Sequence, residues 1–328
     1  MRVLNEKDYR LFERLVSLSE KEILKAMSQY LKVKYDNNLI ITKDYIVAIG
    51  NIPIALVAHM DTVFKTPVSN LYYDQRKGVL WSPEGLGADD RAGIFAIIKI
   101  IQEGLRPSII LTTGEEEGGV GACALVEVHS KCPIPNLKYM IQLDRHGTND
   151  CVFYDCYCPE FVNYIESFGF CKRLGSFTDI SFLMPEWQIV GVNLSVGYEN
   201  EHSYKEFLNI EPLFDTIKKV KKMLTEKDIP NFTYDEAVAN ASMWWKQRDV
   251  FGQHCNKCKK LYSEYELIPV LGIDGRTKFY CPDCVVGNIE WCDCCGEPYE
   301  IKEPSNPKLC KNCMEDLCTK TLNSNSEK

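Results

Sequence analysis

The chain has 328 residues, 45% of them apolar and 26% charged, with a formal charge of −8. These are the proportions of an ordinary globular protein, long enough for two domains and a sizeable core. The negative balance gives no electrostatic case for nucleic acid or an anionic membrane as partner, and no apolar run reaches the length of a membrane span. The N-terminus has no signal-peptide core, so a cytoplasmic location is expected, in which thiols stay reduced. The 16 cysteines are then metal ligands or buried thiols rather than disulfides.

Leu11, Leu15, Val16, Leu18, Ile23, Leu24 and Met27 are spaced as on a helix over 5–30. Ser19 and Glu22 form a capping box at which a second helix can start. Strands are expected at 39–41, 45–49 and 54–58, the last apolar throughout, as in a strand buried on both faces. It runs into His59-Met60-Asp61-Thr62. A hairpin over 71–81 turns near Lys77-Gly78, and the segment from Gly87 to Gly93 opens a helix over 94–103. A strand at 108–113 leads to Gly114-Glu115-Glu116-Glu117-Gly118-Gly119 and a helix over 120–129. The strand at 139–143 ends at Asp144-Arg145-His146. A helix at 159–168 and a strand at 189–194 precede Glu199-Asn200-Glu201-His202-Ser203, and a helix over 211–224 closes the domain. Strands alternating with helices give an α/β fold, a mostly parallel central sheet flanked by helices. Ligands of such sheets gather at the carboxyl ends of the strands.

Those ends carry His59, Asp61, Asp89, Asp90, Glu115, Glu116, Glu117, Asp144 and His202. Adjacent carboxylates repel one another and are tolerable where cations neutralise them. Two histidines and three carboxylates can hold two borderline cations if one carboxylate bridges.

The order His59-Met60-Asp61-Thr62, Gly87-Ala88-Asp89-Asp90-Arg91-Ala92-Gly93, Glu116-Glu117-Gly118-Gly119-Val120-Gly121-Ala122, Asp144 and His202 resembles the co-catalytic dizinc exopeptidases. That superfamily includes peptidase T and the glutamyl and leucyl aminopeptidases, and the resemblance covers roughly residues 50 to 225. It implies their phosphorylase/hydrolase-like exopeptidase core and a metal-dependent aminopeptidase with two zinc ions, or cobalt or manganese. His59 and Asp144 would bind one metal, Glu117 and His202 the other, and Asp89 would bridge them, beside a cis Asp89–Asp90 peptide. Glu116 would be the general base, with Asp61 accepting the other ring N–H of His59. This register rests on the downstream Gly119 and Gly121-Ala122, and it leaves Glu115 as the extra acid. The substrate is a peptide or small amide, for which Arg145, His146 and Asp179 are candidate contacts; Asp179 ends a turn-rich stretch, 175–179, at the expected rim. A deacylase or carboxypeptidase on the same core is the alternative. The intervals from Asp61 to Asp89 and from Asp144 to His202 are too short for the insert domains of larger members.

The catalytic domain is expected over 1–228, with a linker and connecting helix over 229–250. Over 251–318 the pairs Cys255-x-x-Cys258, Cys281-x-x-Cys284, Cys292-x-x-Cys295 and Cys310-x-x-Cys313 have the spacing of zinc knuckles. Two structural zinc ions would join consecutive pairs, because sequential pairing closes shorter loops than a cross-brace. Thiolates add negative charge, which favours protein docking over nucleic acid. If the first domain were an inactive scaffold, this zinc domain would be the working part, an adaptor for a protein partner. The polar tail, 319–328, is expected to be disordered.

Overall fold

The computed structural model divides into two compact units, Met1–Asn240 and Ala241–Lys328. It describes residues 3–154, 156, 158–175, 177–234, 253–262, 267–272, 277–285, 289–292 and 298–301. The expected connecting helix, the tail, and Cys295, Cys310 and Cys313 lie outside the described residues.

The first unit begins with two helices, α1 (Glu6–Val16) and α2 (Glu20–Lys34). The Asn5 side chain caps α1 by accepting from the Asp8 amide at 2.9 Å. At the start of α2, Glu22 accepts from both the amide and the hydroxyl of Ser19, at 2.9 and 2.6 Å. That box satisfies amides the first helical turn leaves open, so the apolar pattern over 5–30 is broken into two helices there.

Strands β1 (Leu39–Ile41), β2 (Tyr45–Ala48) and β3 (Ile52–His59) come next, then the short pair β4 (Tyr72–Asp74) and β5 (Val79–Trp81). Helix α3 (Ala88–Gln102), β6 (Pro107–Thr112), α4 (Val120–Val128) and β7 (Tyr139–Arg145) complete the centre. After them run β8 (Asp150–Val152), α5 (Pro159–Glu166), β9 (Cys171–Lys172), α6 (Asp179–Trp187), β10 (Gly191–Ser195), β11 (Tyr198–Glu199), β12 (Phe207–Asn209) and α7 (Ile210–Leu224). The main sheet has the order β1-β2-β6-β3-β7-β10-β8-β9. Its centre, β6-β3-β7-β10, is parallel, as the apolar runs required. A small antiparallel sheet, β11-β12-β5-β4, extends the expected hairpin.

Every residue of β6, and all of β7 up to Asp144, is buried. Helix α3 covers this sheet and is buried from Ala88 to Ile98. Its approach is set by Gly93, where an added Cβ would lie 2.3 Å from the carbonyl oxygen of Leu143 and 2.5 Å from Oδ1 of Asp90. Neither backbone can yield without moving Asp90, whose Oδ2 accepts the amide of His59 at 3.2 Å. Gly93→Ala is therefore expected to destabilise the unit by about 2–3 kcal/mol, read as an earlier denaturant midpoint; an unchanged midpoint would disprove this packing.

Residues beyond 228 still belong to this core. Phe232 packs on Phe161 and Tyr139 with ring centroids 4.9 and 5.9 Å apart.

The second unit contains β13 (Gln253–His254), β14 (Leu261–Tyr262), β15 (Ile268–Leu271), β16 (Thr277–Tyr280), the short helix α8 (Pro282–Val285), β17 (Ile289–Trp291) and β18 (Pro298–Glu300). Its strands pair as β13-β14 and as the order β16-β15-β18-β17.

Candidate metal centre

Three of the parallel strands end in acidic or histidine side chains that meet. His59 is the last residue of β3, Asp144 lies at the end of β7, and Glu115 and Glu116 follow β6. Asp89 enters from the start of α3, after Gly87 in the left-handed conformation, and the Asp89–Asp90 peptide is cis as expected. His202 reaches in from the segment between β11 and β12.

Nε2 of His59 lies 3.0 Å from Oδ1 of Asp89 and 3.5 Å from Oδ1 of Asp144. Nε2 of His202 lies 3.2 Å from Oδ2 of Asp89 and 3.0 Å from Oε2 of Glu116. Two donor clusters therefore share one carboxylate: His59, Asp89 and Asp144 in one, Asp89, Glu116 and His202 in the other. Asp61 Oδ1 stands 3.2 Å from Nδ1 of His59, where it fixes the ring tautomer. Asp144 is held by Thr178 Oγ1 at 2.9 Å, Gln142 Nε2 at 3.1 Å and Tyr198 OH at 3.2 Å.

The glutamate run departs from the expected register by one residue. The amides of Glu115 and Glu116 both donate to Asp61, at 3.1 and 3.0 Å, which turns the chain so that the Glu116 side chain meets His202. The amides of Gly118 and Gly119 then fold back onto the carbonyl of Glu115 at 2.9 and 3.0 Å. Both glycines have positive φ, 97° and 76°, which larger residues rarely adopt. The turn leaves Glu117 exposed. So Glu116, placed by sequence as the base, stands in the second cluster, and Glu117, placed there by sequence, does not. Glu115, the surplus acid of that register, is buried. Glu116→Ala is thus expected to cost one of two bound manganese ions, and Glu117→Ala neither, as counted after dialysis; the reverse result would restore the sequence register.

Asp179 does not stand at a rim either. Thr178 caps α6, and Asp179 in its first turn is fully buried, accepting from Thr112 Oγ1 at 2.6 Å. It lies beneath the cluster and cannot meet substrate at a rim. Arg145 reaches the carbonyl of Leu174 at 3.4 Å, and His146 Nδ1 bonds Glu201 Oε1. Neither lines the cavity of about 550 Å³ that opens beside Asp61 and Glu116, walled in part by Leu18, Phe64, Pro67 and Leu86.

The charges fit cations. Oε1 of Glu116 is buried without a hydrogen-bond partner, and the carboxylates draw protons onto both histidines. His202 is raised to about 11 by Asp89 and Glu116. For His59, burial opposes the charged form, but Asp144, Asp61 and Asp89 outweigh it and hold the ring well above its ordinary value. Burial first, then neighbouring carboxylates, pushes Asp144 up to about 6, Asp179 and Glu206 to about 7 and Glu115 to about 9. Unfolded carboxyls titrate near about 4. Raised groups hold protons in the folded state, so their stabilisation is complete below that pH and drains as pH rises through these values. Asp89, held below the usual carboxylate range by both histidines despite its burial, titrates outside that window. The metal-free first unit is expected to melt lower at pH 9 than at pH 6, and a bound divalent cation to flatten the difference. A metal-free unit that melts higher at pH 9 would contradict the arrangement.

In the second unit Cys255, Cys258, Cys281 and Cys284 converge. Sγ of Cys258 and Cys281 are 3.9 Å apart, close to the ~3.8 Å edge of a tetrahedron with 2.3 Å zinc–sulfur bonds. Burial acts to raise Cys255, but the amides of Cys281, Cys258 and Lys257 outweigh it and bring the thiol to about 6. Cys284 is pushed up to about 12 by burial and by the neighbouring sulfurs. Only a bound cation would let four sulfurs so close ionise together. Of the other proposed zinc ligands, Cys292 is described and buried.

No protein-family model and no curated protein matches the sequence. Among solved structures, the chain is similar to a tripeptidase from Staphylococcus aureus subsp. aureus Mu50, with a TM-score of 0.52 and 16% identity over 73% of this chain and 100% of that one. It is also similar to a TET aminopeptidase from a marine-sediment archaeon of the Thaumarchaeota, with a TM-score of 0.53 and 14% identity over 72% and 99%. At these identities the likeness is one of fold. The chain thus carries the α/β fold of these two peptidases, the fold expected from its motifs, with two donor clusters at the carboxyl ends of its central strands.

Proposed function

We propose that the first unit is a metal-dependent hydrolase of peptide bonds, acting as an aminopeptidase. The observation that supports this most is the pair of donor clusters sharing Asp89, set at the strand ends of a fold whose solved neighbours are a tripeptidase and an aminopeptidase. His59, Asp89 and Asp144 would hold one cation and Asp89, Glu116 and His202 the other, with zinc, cobalt or manganese suited to these donors. Cations bound there would polarise an amide carbonyl and ease the loss of a proton from water.

The chain supplies the rest. Glu115 is the carboxylate available to take that proton, because Glu116 is engaged with His202 and Asp61 with His59; bound cations would draw off the proton that burial holds on Glu115 in their absence. It then returns the proton to the departing amine. Asp61 orients His59 and, through two amides, sets both Glu115 and Glu116. The cavity beside Asp61 and Glu116 receives the substrate's terminal residue. Cys255, Cys258, Cys281 and Cys284 would hold a structural zinc in the second unit, leaving its surface for protein docking.

Metal analysis with a panel of aminoacyl and dipeptide substrates tests the assignment. Hydrolysis that stops when the substrate's amino group is acetylated is the expected result. Full metal loading without cleavage of any amide sinks the enzyme assignment, and cleavage of blocked substrates alone moves it to a deacylase or carboxypeptidase.

A further inference from the structure

Glu206 belongs to neither donor cluster, yet it is only 1% exposed. Its Oε2 accepts the amide of Gly87 at 2.7 Å and its Oε1 the amide of Asp89 at 3.0 Å. The bonds run from the segment that carries His202 to the turn that carries Asp89, two places far apart in sequence. A buried carboxylate beside another carboxylate is costly unless its acceptors are matched, and here backbone amides match them.

The ligands of the two clusters are not held equally. His59 and Asp144 sit on buried central strands. Glu116 is fixed through its amide to Asp61. His202 is the exception: it lies on a connecting segment with φ of 59°, and its side chain is 52% exposed. The hydrogen bonds within that segment, Ser203 Oγ to the carbonyl of Asn200 at 2.7 Å and the Glu206 amide to the carbonyl of Ser203 at 3.0 Å, are local. They shape it, and Glu201 ties its start to His146, but none of these bonds reaches the turn that carries Asp89. Glu206, four residues after His202, does reach it.

We infer that Glu206 is a positioning residue that sets the separation of His202 from Asp89 and thereby the affinity of the second cation far more than that of the first, to which Asp89 also belongs but whose other donors, His59 and Asp144, it does not touch. This rests on the two-cation reading above. A glutamine there presents one acceptor oxygen and turns an NH₂ group toward the other amide. An aspartate keeps the charge but is one methylene shorter.

The test is manganese titration of the full chain with zinc left on its thiolates, since manganese suits carboxylate and imidazole sites and zinc suits thiolates. Wild type is expected to take up two manganese ions and to give the paramagnetic resonance signal of a coupled pair. Glu206→Gln is expected to keep the first ion and to weaken the second about 10- to 100-fold, giving the signal of an isolated ion. His202→Ala should match it, and Glu206→Asp should fall between. General loosening of the fold would weaken both ions together, so equal loss overturns the inference, as does a Glu206→Gln protein with both affinities unchanged. Where Glu206→Gln does not fold, Glu206→Asp decides by the same criterion. A wild type that binds no pair overturns the two-cation reading and this inference with it, an outcome distinct from an intact pair that ignores Glu206.

Discussion

Glu115→Gln is expected to lower kcat by about 100- to 10,000-fold, the usual contribution of a positioned general base, with both cations still bound. The amide is close in shape to the carboxyl but cannot take a proton. The backbone bond from residue 115 to Asp61 does not involve the side chain, so the neighbouring Glu116 keeps its place and the clusters stay assembled. Burial of Glu115, at 8% exposure, shields it from bulk water, so no solvent base can substitute for it at neutral pH. The companion variant Glu117→Gln alters an exposed wall of the proposed substrate cavity, so its effect should fall on KM and leave kcat within about twofold of wild type. Steady-state kinetics with manganese counted on the same samples decides the matter. Full activity in Glu115→Gln, or a loss of kcat in Glu117→Gln, would return the base to another position in the run.

The contrast between these neighbours marks where sequence stops being sufficient. His59, Asp89 and Asp144 were legible because each ends or opens an element with a strong pattern, whereas His202 was legible only from the order of the motifs. The apolar runs 54–58, 108–113 and 139–143 form strands buried on both faces, and such strands leave their chemistry only at the ends. The glutamates were not legible in the same way. Three identical residues carry no internal mark of which faces in, and the downstream glycines fixed the register one residue too late. Only the fold of the turn, with two amides on Asp61 and two glycines at positive φ, separates Glu116 from Glu117.

Asp179 was misplaced for a different reason. Pro185 inside α6 reads as a breaker, and without that helix Thr178 looks like a loop residue instead of its cap. Strands β8, β9, β11 and β12 are two or three residues long, too short for a period of two to register. Glu206 sits in a polar stretch and looks solvated; its burial depends on Gly87 and Asp89, more than a hundred residues earlier. Cys255, Cys258, Cys281 and Cys284 could be grouped in advance because knuckle spacing is itself a geometric constraint.

Removing the proposed zinc from the second unit is expected to unfold it while the first unit keeps its secondary structure. Among the described residues its core comprises Cys255, Leu267, Val270, Tyr280, Cys281 and Ile289, and two of these six are proposed zinc ligands. A core in which zinc ligands take so large a share offsets little of the chain entropy lost on folding by itself. A structural zinc is worth on the order of 10 kcal/mol in small domains, more than that core can supply. The first unit has the continuous core spanning β2, β3, β6, β7 and α3 and does not depend on a cation in this way. Cys281→Ser should have the same effect as chelation, since a hydroxyl is a poor zinc ligand and Cys281, 1% exposed, also donates its amide to Cys255 Sγ at 3.4 Å. Hydrogen exchange on the chelated protein reads both units at once. The amides of β15 and β16, paired from Ile268–Tyr280 to Leu271–Thr277, should lose protection entirely, while those of β3 and β6 stay slow. Protection that persists in β15 and β16 after all zinc has left would mean that the four thiolates are not what holds this unit together.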